Sequence, residues 1–506
     1  VIGGFVAGVL LLAACGDLAI AAASPGLAAA AAAVTSRQGS PDGRTSGLLV
    51  LDSGVEALRA RDALIAAARE SIDAQYYIWN PDSSGRYLAA RLLAAADRGV
   101  RVRVLLDDMN VVGRDAELAR LAGHPNIRIR VYNPGARQGG VVRLFGFARE
   151  FGRLNRRMHN KSLTIDGAVT VVGGRNIGDE YFDLHPATNF RDRDVLAVGP
   201  VVAGVATGFE GFWTSPWSYP VGTLLGGEPA GGPLLSGEEA LAATGPVLAG
   251  AGYTPPADLA DHVASQILPV LHWAPARLVY DPPPTAAQMA DSSTPQPVAQ
   301  ALRALVGQAQ GDLLLESAYF ILGDESLAEA ARLTARGIRV RALTNSLASN
   351  DLVTNHSGYA RRRQAMLAAG LELHELRPDA AACARLVQAS PACAAGPGFA
   401  LHSKSIVVDR RQLVVGSFNV NLRSTYLNSE TVLIIDSPEL AAQVAAAIEE
   451  LLQPDSSWRV TLGAEGLEWT TTVNGVEVRA TREPMTSGWR RFTAGFYGLF
   501  PLEKYL

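Results

Sequence analysis

One spacing occurs twice in this chain and limits what it can fold into. "HNKSLTIDGAVTVVGGRN", from His159 to Asn176, and "HSKSIVVDRRQLVVGSFN", from His402 to Asn419, share His-x-Lys, a later Asp, then Gly, a Gly or Ser, and Asn. The alternation suits a strand, so His159 and Lys161 project from one face, as do His402 and Lys404. Asp166-Gly167 signals a two-residue hairpin turn, which predicts Gly174 opposite His159 and Val172 opposite Lys161. The same construction on Asp409-Arg410 puts Ser417 opposite His402. A small residue beside each imidazole leaves room for a substrate atom. Asn176 and Asn419 stand where an amide could donate to an anionic oxygen. Asp166 and Asp409 are expected to brace their turns.

The surroundings repeat as well. "ARESIDAQYYIWNPDSSGRYLAARLLAAADRGVRVRVLLDD" corresponds to "AQGDLLLESAYFILGDESLAEAARLTARGIRVRALTNS", each reading strand, helix, then a strand after Arg-Gly. Further on, "NIRIRVYNP" matches "GLELHELRP". Strands alternating with amphipathic helices predict an α/β fold of two duplicated halves, each a mixed, largely parallel sheet flanked by helices. The 506 residues suffice for that plan. The Gly- and Pro-rich "SYPVGTLLGGEPAGGPLLSGEEALAATG" marks the joint. The expected divisions are an N-terminal anchor and flexible linker over 1–45, a first half over 46–220, a connection over 221–295, a second half over 296–455, and a C-terminal hairpin with an aromatic tail over 456–506.

A net charge of −4 and a pI near 6.1 lack the basic excess usual for nucleic-acid binding, so no nucleic-acid partner is expected. The opening "VIGGFVAGVLLLAAC" reads as an export signal, and Leu12-Ala13-Ala14-Cys15 resembles the bacterial lipobox, whose cysteine is acylated. An ordinary cleaved signal peptide is the alternative. Cys383 and Cys393 either close a small disulfide loop or remain two free thiols.

One imidazole, one ammonium and one amide, supplied twice, suit phosphodiester cleavage. A neutral imidazole attacks phosphorus while a second imidazolium protonates the leaving oxygen. Two lysines and two asparagines stabilise charge on the non-bridging oxygens. This chemistry requires neither metal nor cofactor.

The full pattern in both motifs resembles the phospholipase D superfamily, in which two such half-sites form one active site between two α/β halves. The resemblance implies that His159 and His402 are nucleophile and general acid/base, with His159 the preferred nucleophile. "LDSGVEALRARDALIAAARESIDAQYYIW", "TNSLASNDLVTNHSGYARRRQAMLAAGLELHELRP" and "ALHSKSIVVDRRQLVVGSFNVNLRSTYLNSETVLIIDSP" are similar to bacterial cardiolipin synthases of the shorter, lipoprotein-like type. A phosphatidyltransferase follows from that resemblance, with a phospholipase D hydrolase or exported nuclease as the alternative inside the fold and a non-catalytic lipid-binding envelope protein outside it.

A carboxylate should hold each histidine in the right tautomer. Asp192 and Glu430 occupy equivalent places before Pro200 and Pro438 and are the candidates, with Asp194 competing for the role of Asp192. Arg149, Arg153, Arg156 and Arg157 precede His159, and Arg361, Arg362 and Arg363 lie near "HSGY"; Arg157 and Arg361 are the expected headgroup contacts. Trp489, Phe492, Phe496, Tyr497 and Phe500 beside Arg490 and Arg491 suit a bilayer interface or the cap of a domain core. Phospholipids and a membrane surface are the expected partners, in an exported, periplasm-facing envelope protein that works as a monomer because one chain holds both half-sites.

Overall fold

The computed structural model describes residues 26–135, 137, 150–225, 234–386, 393, 398–500 and 503–506. Each half is built around three parallel strands. In the first, Ser71–Tyr76, Arg101–Asp107 and Ile127–Tyr132 lie side by side; in the second, Asp312–Ser317, Arg339–Asn345 and Glu372–Leu376 do the same. Helices Ser83–Asp97 and Asp324–Ala335 make the crossovers. The Arg-Gly junctions end them: Gly99 (φ 94°) and Gly337 (φ 84°) take the left-handed conformation that reverses the chain into the next strand. Each motif hairpin pairs antiparallel to the first of these strands, Ser162–Ile165 on Ser71–Tyr76 and Lys404–Val408 on Asp312–Ser317.

The two sheets are one. Strand His272–Tyr280 pairs through its first residues with Thr45–Leu48 and through its later ones with Thr431–Ile435, which makes a continuous 18-stranded sheet. The stretch expected as a mere connection therefore supplies the strand that joins the halves. It also holds helix Gly237–Gly250, capped by Ser236 with Glu239 in a reciprocal capping box. Val172, Val195, Leu433 and Ile435 share one buried cluster, so both halves pack into common apolar core.

Two other expectations are corrected. Helix Leu27–Gln38 occupies much of the supposed flexible linker and buries Leu27, Ala31 and Val34, because its small apolar residues fit against the first-half core. The C-terminal hairpin is a three-stranded meander, Ser457–Gly463, Gly466–Val473 and Val476–Ala480, that extends the sheet from Glu372–Leu376. Cys15 lies outside the described residues. Cys383 and Cys393 form a disulfide with Cα atoms 5.6 Å apart. Among the described residues no helix is long and apolar enough to cross a membrane.

Candidate active site

The motif hairpins differ from the expected register by one residue. Ala168 donates to the Ile165 carbonyl (2.9 Å), yet Ile165 pairs with Val169 and Ser162 with Val172, leaving Ala168 as an extra residue in the turn. Val408 likewise pairs with Gln412 while Arg411 closes the turn. The carboxylates of Asp166 and Asp409 hold these turns from below. Asp166 accepts from the backbone N–H groups of Arg69, Glu70 and Ser71, and Asp409 from those of Gln310, Gly311 and Asp312. Both lie at the far end of the strands from the histidines.

With that register, Gly174 and Ser417 do not make room for substrate beside the histidines. A Cβ on Gly174 would lie 2.2 Å from Asp192 Oδ1, so the missing side chain makes room for a carboxylate. Ser417 Oγ donates to Glu430 Oε2 at 2.5 Å.

Each carboxylate serves the histidine of the opposite half. His159 Nδ1 lies 2.8 Å from Glu430 Oε2, and His402 Nδ1 lies 2.5 Å from Asp192 Oδ2. Backbone bridges between the halves impose this exchange. His159 N–H donates to the Ser429 carbonyl (2.9 Å) and Ser429 N–H to the Arg157 carbonyl (2.9 Å). On the other side, Phe399–Leu401 pairs parallel with Asn189–Arg191, and the N–H groups of His402 and Ser403 both donate to the Arg191 carbonyl. Each imidazole thus reaches the carboxylate one residue beyond the bridge. Asp194, the competitor for that role, instead pairs with Arg61 and Arg175.

Because Nδ1 donates to a carboxylate, Nε2 of each ring is the free nitrogen. The two rings are nearly enclosed, each 6% exposed. Tyr77 meets His159 edge to face at 4.9 Å, and Tyr181 meets His402 at 5.0 Å. Lys161 Nζ donates to the His159 carbonyl (2.6 Å) and lies over the Tyr77 ring. Lys404 Nζ donates to the His402 carbonyl and stands 3.0 Å from His402 Nδ1. Asn176 Oδ1 accepts from Ile78 N–H (3.2 Å), which fixes its amide, and among the described residues its Nδ2 has no hydrogen-bond partner. Asn419 Oδ1 is likewise buried and unpartnered.

Burial dominates the electrostatics. It lowers both histidines to about 4, with the lysines adding to the effect and the carboxylates opposing it. Burial also pushes Lys161 well below its ordinary value and Lys404 down to about 8. The carboxylates experience burial in the opposite sense, but His402, Lys404 and Arg175 outweigh it at Asp192, and His159 and Lys161 outweigh it at Glu430, so both are held below the usual range. The resting site at neutral pH therefore carries ionised carboxylates and neutral imidazoles.

The arginines expected at the headgroup, Arg157 and Arg361, have partners elsewhere in the protein. Arg157 pairs with Asp107 (3.1 Å) and the Asn133 carbonyl. Arg361 donates to the carbonyls of Gly498 and Phe500 and pairs with Glu503, tying a helix to the C-terminal segment. Arg153, Arg156, Arg362 and Arg363 are similarly engaged with Glu150, the Asp291 carbonyl, Asp324 and Glu375. Arg149 lies outside the described residues.

Several contributors carry no motif signal. Ser424 and Asn428 donate to Glu430 Oε1 at 2.6 and 3.3 Å. Arg193 crosses between the halves to Glu316 and Ser405, while its Nε donates to Asp52 of its own half. Their positions follow from the duplicated alignment only once the two halves are seen to face each other. Among the described residues no group of His, Cys, Asp and Glu is arranged to hold a metal ion.

A family model described as "Cardiolipin synthase, PLD-like domain" matches residues 62–213 and 302–452, which contain both histidine motifs. The chain belongs to this family. It is 37% identical to cardiolipin synthase C of Escherichia coli (strain K12) over 462 residues, covering 90% of this chain and 95% of that protein. It is 25% identical to cardiolipin synthase A of Pectobacterium carotovorum subsp. carotovorum (strain PC1), covering 80% and 68%. A crystal structure of phosphatidylserine synthase from Haemophilus influenzae Rd KW20 shares the fold, with a TM-score of 0.54 at 16% identity over 81% of this chain and 87% of that one. As a member of the family the chain is a phospholipase D-type enzyme of the phospholipid phosphatidyltransferase class.

Proposed function

We propose that this enzyme moves a phosphatidyl group from phosphatidylglycerol, or a similar phospholipid, to the hydroxyl of a second lipid through a phosphohistidine, as a cardiolipin synthase. The observation that carries the reading is the pair of imidazoles whose Nδ1 atoms are held by carboxylates of the opposite half, so that two Nε2 atoms are free within one site. The 37% identity to a cardiolipin synthase along nearly the whole length of both chains supports the lipid substrates.

In the first step His159 Nε2 attacks phosphorus. The P–N bond forms as the P–O bond to glycerol breaks, and His402 Nε2–H gives its proton to the departing oxygen. In the second, His402 Nε2 takes the proton of the acceptor hydroxyl, the acceptor oxygen bonds to phosphorus, and the P–N bond breaks. The low proton affinity of His159 keeps it a free base. His402 must be protonated to act as acid, and the incoming phosphodiester anion supplies the negative charge that raises its proton affinity. Lys161 and Lys404 offset the charge that builds on the phosphoryl oxygens, the amides of Asn176 and Asn419 donate hydrogen bonds to them, and Glu430 and Asp192 set the tautomers. One chain supplies every part, which supports a working monomer; the resemblance of Leu12-Ala13-Ala14-Cys15 to a lipobox supports an envelope lipoprotein facing the periplasm.

Purified protein given phosphatidylglycerol alone tests the reading. Cardiolipin and free glycerol are the expected products. Phosphatidic acid without cardiolipin would make the enzyme a hydrolase, and neither lipid product, with cleavage of nucleic acid supplied in a parallel reaction, would make it a nuclease.

A further inference from the structure

Helix Gly488–Tyr497 has one face turned away from the protein. Ser487 caps it, and Arg490 and Ala494 face inward. Trp489, Phe492 and Phe496 lie on the other side at helical spacing and are 74%, 61% and 48% exposed; Leu499 and Phe500 continue the face at 76% and 45%. Trp489 stacks on Phe492 at 5.5 Å, and Phe496 meets Phe500 at 5.4 Å. Singly exposed apolar side chains are ordinary, but a contiguous aromatic face is not.

This face is coupled to the site by a short chain of contacts. Arg490 Nε donates to the Leu347 carbonyl (2.8 Å) and Nη2 to that of Asn350. The loop they belong to follows strand Arg339–Asn345. Its Ser349 hydroxyl donates to Asn345 Oδ1 (3.2 Å), and Asn345 in turn accepts from Leu401 N–H (2.8 Å) and donates to the Leu401 carbonyl (2.7 Å), one residue before His402. The equivalent loop of the first half follows Asp107, which accepts from Met158 N–H beside His159, and it exposes Met109 and Val112. Leu352 and Met485 are exposed next to the helix. Exposed apolar side chains thus lie on or beside the equivalent loop in both halves.

We infer that helix Gly488–Tyr497 is the element that seats this enzyme on a phospholipid bilayer and sets the mouth of the site against the headgroups. Trp and Phe beside arginine suit the boundary between acyl chains and headgroups, where the rings bury and the guanidinium meets phosphate. Arg491 lies on this helix and Arg482 is exposed before it, which favours anionic lipid. Arg490 transmits the seating to the loop behind His402. The inference rests on the phospholipid substrate proposed above.

The test uses the full chain carrying Cys15→Ser, so that no acyl anchor contributes, with and without Phe492→Ser/Phe496→Ser. Co-sedimentation with vesicles of phosphatidylglycerol and phosphatidylcholine should weaken by at least about tenfold in the double variant. Turnover of vesicle lipid should fall with it, while turnover of a short-chain, monomerically dissolved phosphatidylglycerol stays unchanged. Brominated lipids should quench parent fluorescence more than that of Trp489→Phe, a readout independent of the double variant's folding. Unaltered vesicle binding by the double variant would overturn the inference, as would a parent dimer that the double variant dissolves, since the face would then belong to a second copy. Helix-dependent binding without turnover of either lipid would leave the docking surface standing and remove the substrate reading.

Discussion

The two halves carry equivalent site residues on different foundations. Beneath the first motif, Arg175 lies buried against Asp194 and the carbonyls of Leu51, Asp52, Tyr181 and Asp192, and Arg61 reaches the same Asp194 at 2.9 Å. The equivalent residues of the second half are Phe418 and Val432, packed in an apolar cluster. The carboxylates differ too. Asp192 is short and fits beside a glycine; Glu430 is longer and is gripped by Ser417, Ser424 and Asn428. Yet both meet the opposite histidine at the same nitrogen. The paired backbone bridges determine that geometry, and side-chain identity only tunes it.

The largest effect should come from the residues on which the halves do not differ. His159→Ala and His402→Ala should each cost about 10⁴-fold or more in turnover, with the double variant scarcely worse, because the two act as one unit. A retained rate in either variant would mean that the halves work independently.

The foundations should separate next. Arg61→Ala leaves a buried carboxylate short of its partner and should cost about 3–5 kcal/mol in denaturant unfolding. Val432→Ala in the apolar foundation should cost about 1–3 kcal/mol. Equal costs would erase the distinction between polar and apolar support.

Lys161→Ala or Lys404→Ala should raise the barrier by about 2–4 kcal/mol, and EDTA should leave the rate unchanged because ammonium groups carry the phosphoryl charge. Restoration by one divalent ion after chelation would contradict this. The smallest expected effect is on the pH profile. kcat/KM, which follows the free enzyme, should peak on the acid side, rising as His159, held near about 4, loses its proton and falling as His402, also held near about 4, loses the proton it must donate. A kcat/KM that stays level from neutral pH to about 8 would show that His402 is not the acid.

Much of this was legible in the sequence because it is local. The repeated His-x-Lys spacing marked both motif strands, and the Arg-Gly junctions marked the crossovers that end at Gly99 and Gly337. The register of the hairpins was not: Asp166 and Gly167, like Asp409 and Arg410, take the left-handed φ (51°, 62°, 52° and 51°) that the expected two-residue turn requires, but one more unpaired residue follows each turn. That slip turned an apparent space for substrate into a space for Asp192. The exchange of carboxylates was equally hidden. Alignment equates Asp192 with Glu430 but says nothing of which histidine each reaches, since that depends on the bridges Met158 to Ser429 and Phe399–Leu401 to Asn189–Arg191. The arginines misled for a related reason: a run of guanidinium groups looks the same whether it faces a headgroup or, as with Arg157 and Arg363, a buried carboxylate.

We propose that the halves complete one site in which His159 attacks and His402 manages the proton. Only the attacking nitrogen becomes bonded to phosphorus, and a variant lacking the acid/base can still form that bond when the leaving group needs no proton. His402→Ala protein, given a phosphatidyl ester of a good leaving group and examined by peptide mass spectrometry, should accumulate a phosphatidyl adduct on the peptide containing His159. No adduct there, with label instead on His402 in His159→Ala protein, would contradict the assignment.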